Sequence, residues 1–150
     1  MEIGVDDGEN AETMIETAAQ ASNIPLEEVE YYGFDFFAGS RMDQVIQRLK
    51  KMGCRFKLFK GDTVKTLPET VKQLPKMDLI FIDGGKSYAT AKNDWENSKT
   101  LMDDKTAVFI HNYELSGVRR MVDDISQDSY EVKILDPYGD YSTALVMRRE

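Results

Sequence analysis

Apolar positions along this 150-residue chain follow two alternating spacings. Short apolar or strictly alternating stretches, typical of strands, take turns with stretches in which apolar residues recur every three to four positions, typical of helices. Helices are predicted over 9–21, 41–52, 64–74, 87–99 and 115–126. A strand end is predicted at the start of the chain, running into the turn at 4–8, and further strands are predicted over 31–35, 55–60, 77–82, 106–110, 130–135 and 142–147.

The order of these elements predicts an α/β fold. Five strands alternate with five helices, which favours a doubly wound, mostly parallel sheet. The unbroken apolar run in 79–82 predicts a central parallel strand covered on both faces. Only 136–140 separates the last two strands, too short for a helix, so they are expected to form a C-terminal antiparallel hairpin. With no linker or repeat, a single domain is expected over 1–150.

Charge and composition narrow the function classes. The net charge is −8 without a run of Lys or Arg, which disfavours nucleic-acid binding. No apolar run approaches the length of a membrane span, and no leader precedes Glu2, so we expect a cytoplasmic protein without membrane association. Cys54 is the only cysteine, which excludes an internal disulfide and predicts a small packing residue near a strand start.

Two glycines, Gly4 and Gly8, lie between the first strand and the first helix. Such a turn lets a ligand approach bare backbone at a helix N-terminus. The acidic Asp6 and Asp7 disfavour a phosphate ligand, and no Lys-Ser/Thr pair follows Gly8 as a phosphate-binding loop requires. Asn10 is a candidate cap for the helix. By itself the glycine pair fits an ordinary strand–helix turn equally well.

Polar residues follow every one of the first five strands. In doubly wound sheets, ligands bind beyond the carboxyl ends of the strands. Asp35 is placed where a carboxylate accepts hydrogen bonds from ribose hydroxyls, although capping of the next segment would also explain it. The presence of Asp62 or Thr63 would likewise be explained by capping of the helix that follows. The strand ends that predict a site are the 4–8 turn, Asp35, Gly61-Asp62, Asp83-Gly84 and His111-Asn112.

Four motifs carry a resemblance to a known family. They are Glu2-x-Gly4-x-x-x-Gly8, Gly33-Phe34-Asp35, Gly61-Asp62 and the most specific one, Ile80-Phe81-Ile82-Asp83-Gly84-Gly85-x-Ser87-Tyr88. From Glu2 to Met147 the chain resembles class I S-adenosylmethionine-dependent methyltransferases, in the small-molecule branch described as the methyltransferase-24 type. The resemblance implies a Rossmann-like sheet whose terminal hairpin is typical of that fold.

The resemblance also implies roles for residues around S-adenosylmethionine. Gly4 and Gly8 would let its methionine part lie against the backbone, and Glu2 would orient its ammonium group directly or through water. Asp35 would hold the ribose hydroxyls. The adenine end would meet Asp62 and the Thr63 backbone, and the methionine end with the reacting methyl would lie near Asp83 and Gly84. An acidic pocket suits a cofactor that carries a sulfonium and an ammonium.

Methyl transfer to a hydroxyl needs a base or a metal ion in addition to positioning. His111, the only histidine, is a candidate general base, metal ligand or structural hydrogen-bonding residue. Asp83, His111 and Asn112 form a candidate Mg²⁺ site, although relatives often have Asp in place of Asn112. Lys86 replaces the histidine of the relatives' Asp-Gly-Gly-His-Ser-Tyr. Three interpretations of Lys86 stay open. The replacement removes a catalytic or metal-binding imidazole, or Lys86 supplies a cation that holds an anionic acceptor, or Lys86 is a solvated loop residue. The candidate catalytic set is therefore His111, Asp83 and Lys86.

The sequence thus predicts a methyltransferase that moves a methyl group from S-adenosylmethionine to a small molecule, at oxygen. Two alternatives stay open. The chain could bind the cofactor or a partner without turnover, or it could be an NAD-dependent oxidoreductase that uses Gly4, Gly8 and Asp35. The missing third glycine and the terminal hairpin argue against the dinucleotide. The acceptor and the oligomeric state are not determined by the sequence.

Overall fold

A computed structural model describes residues 1–149. The strands are β1 (Glu2–Ile3), β2 (Glu30–Asp35), β3 (Arg55–Lys60), β4 (Leu79–Ile82), β5 (Ala107–Ile110), β6 (Tyr130–Leu135) and β7 (Thr143–Arg148). The helices are α1 (Glu9–Ser22), α2 (Arg41–Met52), α3 (Thr63–Thr70), α4 (Tyr88–Ser98) and α5 (Ser116–Asp123). Among these residues, no helix combines the length and the apolar character that a bilayer crossing requires.

The strands form one seven-stranded sheet in the order β3-β2-β1-β4-β5-β7-β6. The pairs among β1 to β5 are all parallel. The predicted antiparallel hairpin of β6 and β7 is confirmed, and the chain folds back so that β7 lies between β5 and β6. The mostly parallel, doubly wound sheet is therefore confirmed, and its strand order reverses between β1 and β4, which is where such sheets bind ligands.

Most predicted helices agree with the structure, but α3 and α5 are shorter than expected. A 3-10 turn over Val71–Gln73 replaces the end of the predicted 64–74 helix. The last helix ends at Asp123, yet Ile125 beyond it is still buried. The apolar spacing was therefore right about which residues face the core and wrong about how far the helical backbone continues.

Two apolar clusters hold the layers together. One cluster joins Val5 and Tyr31 to Ile15 of α1 and to Val45 and Leu49 of α2. The other cluster packs side chains of β1, β4, β5 and β7 against α3, α4 and α5, with Trp95 and Ile80 among its buried members. Cys54 is buried in the first cluster, as expected of a packing residue.

The prediction that β4 is covered on both faces is wrong. Ile80 and Ile82 are buried, whereas Leu79 and Phe81 are only half-buried. The cluster that contains α1 and α2 includes no residue of β4 or β5. Phe81 therefore lines an open groove of about 520 Å³ that continues over Phe109, Ile134, Leu135, Asp136, Pro137 and Thr143.

Candidate functional site

Backbone hydrogen bonds align the carboxyl ends of the five parallel strands. Gly61 N donates to Asp35 O at 2.9 Å, and Gly4 N donates to Phe34 O at 2.8 Å. Asp83 N donates to Ile3 O at 2.8 Å, and His111 N donates to Ile82 O at 2.9 Å. The five predicted strand ends therefore lie along one rim of the sheet, as the sequence predicted.

The glycine turn at the centre of this rim depends on left-handed backbone. Gly4 and Gly8 have φ of +86° and +85°, and Gly8 occupies the position before the first residue of α1. A Cβ on Gly4 would lie 2.3 Å from the carbonyl oxygen of Asp83, so this glycine is required by packing against β4 as well as by φ. Asn10 does not cap α1, because its side chain donates to Glu2 Oε1 at 2.7 Å instead.

The Asp35 carboxylate connects β2 to the glycine turn. Its Oδ1 accepts from Phe37 N at 2.7 Å, and its Oδ2 accepts from Asp6 N at 3.0 Å. Each carboxylate oxygen keeps further acceptor capacity for a ligand hydroxyl. Asp35 is partly exposed, so its orientation is fixed while its carboxylate stays accessible.

The segment between β3 and α3 places a second carboxylate on the rim. Asp62 Oδ1 accepts from Val64 N at 3.0 Å, which makes Asp62, and not Thr63, the side-chain cap of α3. One oxygen of Asp62 is used by the cap, and the other is left for a ligand. The Thr63 side chain is turned inward and is 9% exposed, so a ligand would meet Thr63 through its backbone.

Glu2 lies beneath the rim and not on it. Its side chain is fully buried, and its carboxylate accepts hydrogen bonds from the Tyr31 hydroxyl and from Asn10. Burial raises the pKa of Glu2, and the hydrogen bonds from Tyr31 and Asn10 act in the opposite direction. Direct contact between Glu2 and a ligand, one of the two expected modes, is therefore closed in this conformation, since the Glu2 side chain is fully buried.

Asp83 and Lys86, two members of the candidate catalytic set, form an ion pair. The Lys86 ammonium donates to Asp83 Oδ1, and both side chains are about one-third exposed. Lys86 is thus not a freely solvated loop residue. It neutralises the charge of Asp83 at the position where the sequence predicts the methionine end of the cofactor.

His111 lies apart from that ion pair, towards the terminal hairpin. Its Nδ1 is 3.0 Å from Thr143 Oγ1, and its Nε2 is 3.8 Å from Asp140 Oδ1. The ring is 5.9 Å from the Phe81 ring and meets the Tyr141 ring edge-on at 6.2 Å, measured between centroids. The imidazole is oriented by the hairpin and borders the groove over Phe81.

The expected Mg²⁺ site at Asp83, His111 and Asn112 is not supported. Asp83 is paired with Lys86, and the imidazole of His111 is directed to Thr143 and Asp140. Asn112 is 7% exposed in a left-handed turn. Within residues 1–149, no three His, Cys, Asp or Glu side chains gather closely enough to hold a metal ion.

Three features of the site were missed by sequence reasoning. Phe36, next to Asp35, is 66% exposed, which is unusual for a large apolar side chain. Thr143 and Asp140 orient His111 from a hairpin whose pairing with β5 is not visible in local patterns. Asp94 is fully buried in α4 beneath the rim. Of these features, only the buried Asp94 could have been found from the local sequence, because its carboxylate interrupts the apolar face of the predicted helix next to Trp95.

Comparison with protein families identifies the class. The model of a methyltransferase domain family, Methyltransf_24, matches residues 1–113. The matched part contains β1 to β5 and therefore the whole rim described above. The chain belongs to this methyltransferase family. Among curated proteins, none matches this chain.

Solved structures show the same fold at low sequence identity. CalS11, described as a TDP-rhamnose 3'-O-methyltransferase of calicheamicin biosynthesis, is 19% identical with a TM-score of 0.76, over 99% of this chain and 70% of that chain. The O-methyltransferase TomG from Streptomyces achromogenes, solved with S-adenosylmethionine, is 15% identical with a TM-score of 0.76, over 99% of this chain and 72% of that chain.

An rRNA methylase from Streptococcus thermophilus is 13% identical with a TM-score of 0.70, over 99% of this chain and 86% of that chain. The fold therefore occurs in enzymes described with different acceptors. It does not by itself determine what this chain methylates.

Proposed function

We propose that this protein transfers a methyl group from S-adenosylmethionine to an oxygen atom of a small molecule. The observation that carries the proposal is the fixed Asp35 carboxylate, which is bonded to the glycine turn and still open to a ligand. Family membership favours S-adenosylmethionine over NAD as the ligand. TomG, a solved structure with the same fold, is described in complex with this cofactor.

The residues of the rim suit the chemistry of the cofactor. Asp35 would accept hydrogen bonds from the ribose hydroxyls, and Asp62 with the Thr63 backbone would bind the adenine edge. Gly4, Gly8 and Gly84 would let the ligand lie close to the backbone. Asp83 would lie on the side of the methionine part. Glu2 would act on the same part of the cofactor through Asn10 or water. The bound cofactor would supply an electrophilic methyl group.

His111 is the residue proposed to take the proton of the acceptor hydroxyl. In the tautomer in which Nδ1–H donates to Thr143, Nε2 carries the lone pair that a base requires. The Asp140 carboxylate, 3.8 Å from Nε2, would stabilise the imidazolium that forms. The apolar groove over Phe81 begins beside this imidazole and would accommodate a small organic acceptor.

The net charge of −8 also favours a small molecule over a nucleic acid as the methyl acceptor. A cytoplasmic location stays a prediction.

A second candidate function, cofactor binding without turnover, is favoured by the Lys86–Asp83 ion pair. Lys86 occupies the position of a histidine in relatives, and it places a cation where the sulfonium would lie.

A turnover assay separates the two candidates. The protein is incubated with S-adenosylmethionine and a panel of hydroxylated small molecules, and S-adenosylhomocysteine is quantified. Turnover that falls by about 10²-fold or more in His111→Ala supports the proposed base. Thr143→Val, which removes only the partner of Nδ1, is expected to give a smaller loss. Cofactor binding with no turnover on any acceptor would favour the non-catalytic candidate.

A further inference from the structure

Helix α4 buries a carboxylate beneath the rim of the sheet. Asp94 is fully buried, and its Oδ1 accepts from Asn93 Nδ2 at 3.1 Å. Its Oδ2 has no hydrogen-bond partner among the described residues. A buried carboxylate oxygen without a donor is costly, because the lost hydration is not replaced. Its presence at this place therefore needs an explanation in addition to packing.

The unpartnered oxygen lies directly under the loop that follows β4. A Cβ on Gly84 would be 2.7 Å from Asp94 Oδ2, so the carboxylate packs against the Gly84 backbone. The neighbouring Asn93 donates to Thr63 O at 3.2 Å, at the start of α3. Two consecutive residues of α4 thus contact the two segments that we propose to bind the methionine end and the adenine edge of the cofactor.

We propose that Asp94 is a positioning residue of the cofactor site: its carboxyl supports Gly84 from below while Asn93 holds Thr63, so that α4 sets the distance between the two loops. This inference rests on the proposed function, since it assigns these loops to the cofactor. Asp94 does not itself touch the ligand in this arrangement. It acts through the backbone of Gly84.

The surroundings of Asp94 favour its protonated form. Its pKa is raised to about 6: burial is the largest cause and Asp62 adds to it, whereas the neighbouring Thr63 hydroxyl, Asn93 and the Lys86 ammonium act in the opposite direction.

Three further cations near α4 are engaged with other groups. Arg119 and Arg120 of α5 lie over the rings of Tyr113 and Tyr88, and Lys99, after α4, pairs with Glu96. A ligand that covers Gly84 displaces the bulk water above this loop, which lowers the polarity around the buried carboxyl and raises its pKa further. Ligand binding should therefore take up a proton at Asp94.

The first test is the affinity for S-adenosylhomocysteine, measured by calorimetry between pH 5 and 8. In the wild-type protein the dissociation constant should rise with pH, by about tenfold for each unit by which the ligand raises the pKa of Asp94. Asp94→Asn should remove this rise, because the amide does not titrate. Asp104→Asn, in the exposed turn before β5, is the matched control and should keep the wild-type profile.

An Asp94→Asn profile that matches the wild-type profile would overturn the positioning role while leaving the proposed function intact. If the folded wild-type protein binds no S-adenosylhomocysteine at any pH, the proposed function fails first, and the cofactor role of Asp94 fails with it. The two failures are therefore distinguishable from one set of titrations.

A double-mutant cycle tests the contact without any ligand. Gly84→Ala should destabilise the protein, because the new Cβ meets Asp94 Oδ2 at 2.7 Å and Ile3 Cγ2 at 3.0 Å. In the Asp94→Ala background the carboxylate is gone, so the same change should lower the melting temperature by less. Additive shifts in melting temperature would contradict support of Gly84 by Asp94.

Discussion

A Cβ on Gly4 would lie 2.3 Å from the carbonyl oxygen of Asp83, which shows how closely the ends of β1 and β4 approach each other. These two strands flank the point at which the strand order reverses. The glycine turn is therefore fixed from one side by the backbone of β4 and from the other by Asp35 through the Asp6 amide. The rim of the sheet is therefore held in place largely by backbone contacts of this kind.

Gly4→Ala and Gly139→Ala separate the effect of packing from that of backbone conformation. Both glycines have left-handed φ, of +86° and +80°, but nothing lies within 4 Å of a Cβ at Gly139. Gly139→Ala should cost only the conformational strain of about 1–2 kcal/mol. Gly4→Ala should cost about 1–3 kcal/mol more, because of overpacking against Asp83. Denaturant unfolding measures both, and equal losses would contradict the close approach.

Tyr31→Phe should destabilise the protein by about 1–3 kcal/mol, because the buried Glu2 carboxylate loses a donor. Tyr138→Phe is the matched control, since Tyr138 is fully exposed and the same hydroxyl is removed there at no expected cost. The free energy of unfolding of the two variants is compared with that of the wild-type protein. Equal stabilities would show that Glu2 does not depend on Tyr31.

The buried Asp94 predicts a pH dependence of stability. Its pKa is about 6 in the folded protein, against an ordinary value of 3.8, so unfolding releases a proton between these pH values. The free energy of unfolding should therefore fall as pH rises from 4 to 7, by up to about 3 kcal/mol, relative to that of Asp94→Asn. A wild-type curve parallel to that of Asp94→Asn, measured in urea, would contradict burial of this carboxyl.

Removing the Lys86 ammonium should strengthen binding of the cationic S-adenosylmethionine relative to that of its product S-adenosylhomocysteine, which lacks the sulfonium charge. Without the ammonium, Asp83 regains an unpaired carboxylate near the expected sulfonium. Lys86→Met should therefore strengthen binding of S-adenosylmethionine relative to S-adenosylhomocysteine by about two- to fivefold, since the pair is partly exposed and worth up to about 1 kcal/mol. Lys57→Met, at an exposed position of β3, should leave this ratio unchanged. An unchanged ratio in both variants would place Asp83 away from the sulfonium.

The sequence predicted the sheet, the hairpin and the rim because these depend on local spacing and on chain connectivity. The carboxyl ends of consecutive parallel strands must share one edge, so Asp35, Asp62 and Asp83 were placed together correctly. The direction of each side chain could not be predicted in this way. Glu2 is turned under α1 by Tyr31 and Asn10, and the partners of Asp83 and His111 depend on loops with no regular spacing.

The half-buried face of β4 shows a second limit. An apolar run such as 79–82 is compatible with burial on one face or on two, and only the positions of the helices decide. Here α1 and α2 pack over β2 and β3, so Phe81 is left facing a groove. For the same reason, sequence spacing could not reveal that this groove borders His111.

The cofactor assignment is tested most directly by calorimetric titration of S-adenosylhomocysteine into wild-type protein, Asp35→Ala and Asp104→Ala. We expect micromolar binding by the wild-type protein and by Asp104→Ala. Affinity should be at least about tenfold weaker in Asp35→Ala, which loses the fixed acceptor for the ribose hydroxyls. Equal affinities in all three proteins, or no binding by the folded wild-type protein, would contradict the cofactor assignment.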